Sequence, residues 1–156
     1  MIMSRIKDLQ KKVYHVLEKN IDDADKRAKA VAHLHGVALA AAILAKKRGE
    51  NAELATMAGM LHDLWAYKSG SYDDHAHLGA EYARKVLGEL ATPEETEIIC
   101  SAIYHHDSKA ETNGPLDEIL KDADVIDHNL SDPTKEVKEH EKVRYEKMCV
   151  ELGLAD

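Results

Sequence analysis

The sequence predicts an all-α fold, a single-domain bundle of about six to seven helices, and three observations lead there. Its apolar residues are mainly Ala, Leu, Val and Ile, with no Phe in 156 residues, a palette that suits closely packed helices better than a strand-built core. Those residues recur at helical spacing in one segment after another. No Pro-, Gly- or Ser-rich linker divides the chain, so residues 1–156 read as one domain with a core of its own.

The first helix is expected over 4–19, with Ile6, Leu9, Val13, Val16 and Leu17 on one face. A second runs from Asp23 to Arg48 and stops at Gly49 after a basic last turn. Within it His33 shares a face with Val37 and Leu44 while His35 points towards Lys46, so His33 is the inward residue. A central helix over 51–66 carries an apolar run that ends in the adjacent pair His62-Asp63. Neighbouring helical side chains diverge by about 100°, so this pair cannot share one face, yet both could reach an ion lodged where helices meet.

Gly70, Ser71 and Asp73 mark a loop, and a helix from about Asp74 to Leu90 follows, with His75 on its apolar stripe and His77 opposite. Thr92, Pro93 and Glu95 form an N-cap, proline-first, capping-box start to the next helix. Its apolar arc holds Ile98, Ile99, Ala102, Ile103 and His106, with His105 at the edge. After the loop 111–115 a helix over 116–130 bears Asp124 and Asp127, either of which could face inward on periodicity alone. A last, charge-rich helix over 134–152 is expected outside the core.

The net charge of −8 is uneven, the first fifty residues being basic and the rest strongly acidic, which argues against broad nucleic-acid binding. Absence of an apolar signal core or of about 18 consecutive apolar residues points to a cytoplasmic protein with no membrane partner. Cys100 and Cys149 are too few for a disulfide framework and lack the spacing of a thiolate zinc site. Ten histidines are many for this length. His15, His35, His77, His128 and His140 read as surface residues, and Tyr67, Tyr72 and Tyr104 as core or rim packing. The others, beside apolar helical faces, form with Asp63 and Asp124 a mixed imidazole and carboxylate set suited to a divalent cation.

Several segments resemble the HD-domain metal-dependent phosphohydrolases over about residues 28–130. HLHGVALAAAILAKKRG selects His33, AGMLHDL matches the central motif at His62 and Asp63, and DHAHLGAE places a further histidine at His75. AIYHHD supplies His106, with His105 also a ligand in relatives that have two adjacent histidines, and LKDADVID closes the set at Asp124. The resemblance implies a single HD-type bundle, with the helices over 4–19 and 134–152 packed on the motif-bearing core. It implies one ion held by His33, His62, Asp63 and Asp124, and a second bridged through Asp63 to His75 and His106. Mn, Fe, Co, Ni, Mg and Zn all fit part of that set. Asp63 is the expected catalytic residue because it fixes the separation of the ions.

A lysine often found three residues after the family's His-Asp is Ala66 here, so Lys68 or Lys109 is expected to supply the substrate's positive contact. The implied reaction is hydrolysis of a small phosphorylated substrate, such as a phosphoester or nucleotide, by metal-activated water. A homo-oligomer is compatible with the sequence. The rival readings are a di-iron oxygenase on the same ligands and a nucleotide-sensing module without turnover.

Overall fold

The computed structural model describes residues 4–155, and among these it contains α-helices and short 3-10 turns but no strand. The helices are α1 (Arg5–Asn20), α2 (Ala24–Arg48), α3 (Ala52–Leu61), α4 (Leu64–Ser69), α5 (His75–Leu87), α6 (Pro93–His105), α7 (Pro115–Leu130) and α8 (Lys142–Leu152). Starts are set by side chains that accept from orphan amides: Asp23 from Lys26, Asn51 from Leu54, and Thr92 in a reciprocal capping box with Glu95. The long α2 ends where Gly49 takes the left-handed conformation, φ 72°, after the basic turn Lys46–Arg48.

Three boundaries differ from the sequence expectation, the simplest being the helix expected to reach Leu90, which ends at Leu87 where Gly88 takes φ 49° and a 3-10 turn follows. The single helix expected over 51–66 is broken at His62 and Asp63 into α3 and α4, Asp63 leaving helical geometry at φ −111°, ψ 7°. Continuous helix would have thrown the two side chains apart; the break lets both turn the same way. The helix expected over 134–152 begins only at Lys142, because Asp132 binds the amide and hydroxyl of Thr134 in a local turn and a 3-10 turn, Glu139–Glu141, precedes α8.

α2 lies at the centre, packed along α3 and α7, with α5 and α6 paired beside them. Leu34, Val37, Ala41, Leu44 and Ala45 of α2 meet Leu54, Ala58, Leu61, Ile119 and Ala123 in one apolar cluster. An 18-residue window of α2 reaches a mean hydropathy of 1.6, long and apolar enough to cross a membrane, yet this face of it is buried in the bundle. Gly59 makes the α2–α3 approach possible, since a Cβ there would stand 2.6 Å from the Cα of Ala38. The helix α1 closes one side with Leu9, Val13 and Leu17, all but inaccessible, while Arg5 reaches Glu53, Glu95 and the Leu90 carbonyl. Met148 ties α8 to the same core, which the charge of that helix had obscured.

Candidate metal centre

Five stretches of backbone bring side chains to one point. The middle of α2 supplies His33, the α3–α4 break supplies His62 and Asp63, the first residue of α5 is His75, the end of α6 gives His106, and α7 gives Asp124. His33 Nε2 lies 3.1 Å from both His62 Nε2 and Asp63 Oδ2 and 3.5 Å from Asp124 Oδ1. His62 Nε2 is 3.4 Å from each of those two carboxylates. On the other side Asp63 Oδ1 faces His75 Nε2 at 3.4 Å and His106 Nε2 at 3.3 Å, and these two nitrogens are 3.2 Å apart. Atoms held about 2.1 Å from a common ion are about 3.0–3.4 Å from one another, so both groups have the spacing of a coordination shell.

Each of these imidazoles is fixed from behind. The Nδ1–H groups donate to Asp127 from His33 at 2.7 Å, to the Gly59 carbonyl from His62 at 2.7 Å, to the Tyr72 carbonyl from His75 at 3.0 Å, and to the Ile103 carbonyl from His106 at 2.6 Å. In the neutral, Nδ1-protonated tautomer that metal binding requires, the Nε2 lone pairs of these rings would converge on the interior. Lone pairs facing one another at 3.1–3.2 Å repel unless a positive charge lies among them. The carboxylates carry the same message: Asp63 Oδ1 and Asp124 Oδ1 are buried with no hydrogen-bond partner, which leaves them suited to a cation. Gly36 belongs to this arrangement, because a Cβ there would overlap Asp127, the residue that holds His33.

The remaining expected site residues are placed differently. His105 turns away from the centre, with Nδ1 on the Ser101 carbonyl at 2.9 Å and near Asp117, because consecutive helical positions diverge and His106 takes the inward direction. Lys68 is exposed over the rings of Trp65 and Tyr82. Lys109 is near the centre, but its ammonium is committed to Asp124 Oδ2 at 2.9 Å and the His106 carbonyl at 2.7 Å, so it braces a carboxylate from behind. His35 is tied to the Tyr14 hydroxyl and His77 to Asp74, both away from the centre. Two further residues border the centre: Asp127, which holds His33, and His128, exposed as its surface reading expects but with Nε2 3.3 Å from Asp124 Oδ1. Four-residue spacing from Asp124 was the available signal for His128.

The field inside the centre is strong. Burial opposes charge on His33, but hydrogen bonds to Asp127 and Asp63 prevail and push its pKa up to about 9. Burial is likewise overcome at His62, raised well above its usual value by Asp63 and Asp124; His75 is raised by Asp63. Asp63 and Asp124 are driven well below the ordinary range, again against burial, by the facing histidines and, for Asp124, Lys109. In chelator-treated protein the His33 contribution to stability is full below 6.5, its unperturbed pKa, and fades as pH rises through about 9. The carboxylate contribution is full above 3.8 and fades as pH falls through the depressed values. Melting temperature in chelator is therefore expected to decline between pH 6.5 and 9 and again in strong acid; a flat profile over the first interval would contradict the His33 pairing.

The pocket over the centre has a volume of about 300 Å³ and is walled by Tyr67, Tyr72, His75, Asp107 and His128. The profile of the family described as HD domain matches residues 30–129. Among curated proteins, Ribonuclease Y of Chlorobium luteolum is 31% identical over 94 residues, 60% of this chain and 17% of the relative. Ribonuclease Y 2 of Levilactobacillus brevis is 32% identical over 96 residues, again 60% of this chain and 17% of the relative. The chain thus matches only a minor part of these longer proteins. No solved structure matches it.

Proposed function

Since the chain belongs to the HD-domain family, whose members are generally metal-dependent hydrolases, we propose that it hydrolyses a small phosphoester or nucleotide. The observation that carries this reading is the division of Asp63, one oxygen among His33 and His62 and the other between His75 and His106. That is the disposition of a carboxylate shared by two ions. Divalent ions held there would acidify water and polarise a phosphoryl oxygen.

The chain's own residues supply the rest. Asp127 and the Gly59, Tyr72 and Ile103 carbonyls keep the imidazoles aimed, and Lys109 offsets part of the charge that Asp63 and Asp124 concentrate. Tyr67 and Tyr72 line the pocket, and their phenols, protonated at neutral pH and raised further by burial and by the charge of Asp63, can donate to phosphate oxygens. A space of about 300 Å³ admits a phosphoryl group and part of what it is attached to, which favours small substrates.

The test is metal analysis with a screen of nucleotides and phosphoesters against several added divalent ions. Turnover is expected to need the ion and to stop with chelator; His62→Ala should lose ion and turnover together, and His77→Ala neither. Oxygen consumption by iron-loaded protein without any phosphate release would favour an oxygenase, and tight nucleotide binding without product a sensing module. The matched relatives are named as ribonucleases, so RNA is the second substrate class to include, although a charge of −8 offers it little backbone neutralisation.

A further inference from the structure

We propose that His128 is an additional ligand of the ion at Asp124, held in place by the buried carboxylate of Glu141. The inference rests on the metal-binding reading above and adds two residues to it, one of them beyond the segment that matches the family.

Three imidazole nitrogens surround the partnerless Asp124 Oδ1: His128 Nε2 at 3.3 Å, His62 Nε2 at 3.4 Å and His33 Nε2 at 3.5 Å. The His128 nitrogen is thus as near this oxygen as the two that motif and periodicity select. Ligand atoms of His33, Asp124 and His128 all lie within 4.8 Å of one another. The ring of His128 lies beside that of His33, 7° between planes with centroids 5.4 Å apart. Its position on α7, one turn after Asp124, puts both on the same helical face.

The decisive feature is the other nitrogen. In His33, His62, His75 and His106, Nδ1 is bound to an acceptor behind the ring while Nε2 points inward. His128 repeats the pattern, with Nδ1 2.9 Å from Glu141 Oε2. No other histidine of the described residues combines an anchored Nδ1 with an Nε2 directed at Asp63 or Asp124. Glu141 is only 1% exposed, and its Oε1 has no hydrogen-bond partner. A carboxylate so placed is costly unless a positive charge answers it, and the imidazole of His128 with an ion behind it is that charge. Carboxylate, histidine and metal in line are a recurrent means of fixing a ring and raising its donor strength. The 3-10 turn Glu139–Glu141 delivers this carboxylate from the far side of the chain reversal at Asp132.

The experiment is Co²⁺ titration of the full chain by calorimetry, with pulsed electron paramagnetic resonance of Cu²⁺-loaded protein to count coordinated imidazoles. His128→Ala is expected to weaken one Co²⁺ site about 100-fold and remove one imidazole from the count; Glu141→Gln, which keeps shape and loses charge, should weaken the same site about tenfold. Circular dichroism should show helix content unchanged in both. If His128→Ala binds Co²⁺ as well as the parent with the same imidazole count while His62→Ala fails to bind, the inference is overturned and the metal-binding reading stands. Loss of turnover in His128→Ala with metal binding intact likewise overturns the ligand assignment. Binding unchanged in His62→Ala as well would overturn both.

Discussion

Replacing Asp63 by Asn should lower turnover about a thousandfold or more and reduce the bound metal by at least one ion. Both oxygens of this carboxylate are used, Oδ2 on the side of His33 and His62, Oδ1 on the side of His75 and His106. The amide has nearly the same volume, so the fold loses little packing, but the negative charge and one acceptor disappear at the point both ion positions share. Charge stabilisation by metal is worth several kcal/mol in such reactions, and about 4 kcal/mol corresponds to about a thousandfold in rate. Turnover under saturating metal, together with metal content by mass spectrometry, measures it. A variant that keeps its full complement of ions and turns over within tenfold of the parent would show that Asp63 does not bridge.

The second large effect concerns stability. Gly59→Ala should destabilise the protein by about 3 kcal/mol, a fall in melting temperature of about 6–12 °C for a domain of this size. Helix propensity alone gives the opposite sign, since alanine is preferred to glycine in a helix interior by about 1 kcal/mol. Contact decides the matter: the new Cβ would meet the backbone of Ala38 at 2.6–2.8 Å, and backbone cannot turn aside as a side chain can. Separating α3 from α2 also moves His62, whose Nδ1 is held by Gly59 itself, away from His33. Gly79→Ala is the control. There the nearest atoms are 3.6 Å away, ordinary contact, so the propensity gain should survive. Thermal melts of both variants distinguish the two cases, and equal shifts would refute the argument from close approach.

Much of this architecture is legible in the sequence because amphipathic periodicity reports burial directly. The choice of His33 over His35 follows from which face carries Val37 and Leu44, and in the structure His33 faces the centre while His35 turns to α1. The break at His62 and Asp63 is not legible, because the apolar pattern continues through Leu61, Leu64 and Ala66 with neither Gly nor Pro among residues 60–69. Tertiary packing imposes it. Lys109 sits in a stretch without periodicity, so its attachment to Asp124 could not be told from an outward role. His128 is exposed, as the sequence suggests; what the sequence hides is its anchor, Glu141, which comes from a segment whose charge pattern resembles a solvated helix.

The scatter of these side chains along the chain has a consequence for folding. His33 and His62 are 29 positions apart, His75 and His106 31, and His33 and its brace Asp127 94. An ion grasped by such residues closes loops of these lengths in the folded state alone, so its binding free energy adds directly to the free energy of folding. In a chain whose two cysteines are both free, such an ion would be a removable cross-link between distant segments.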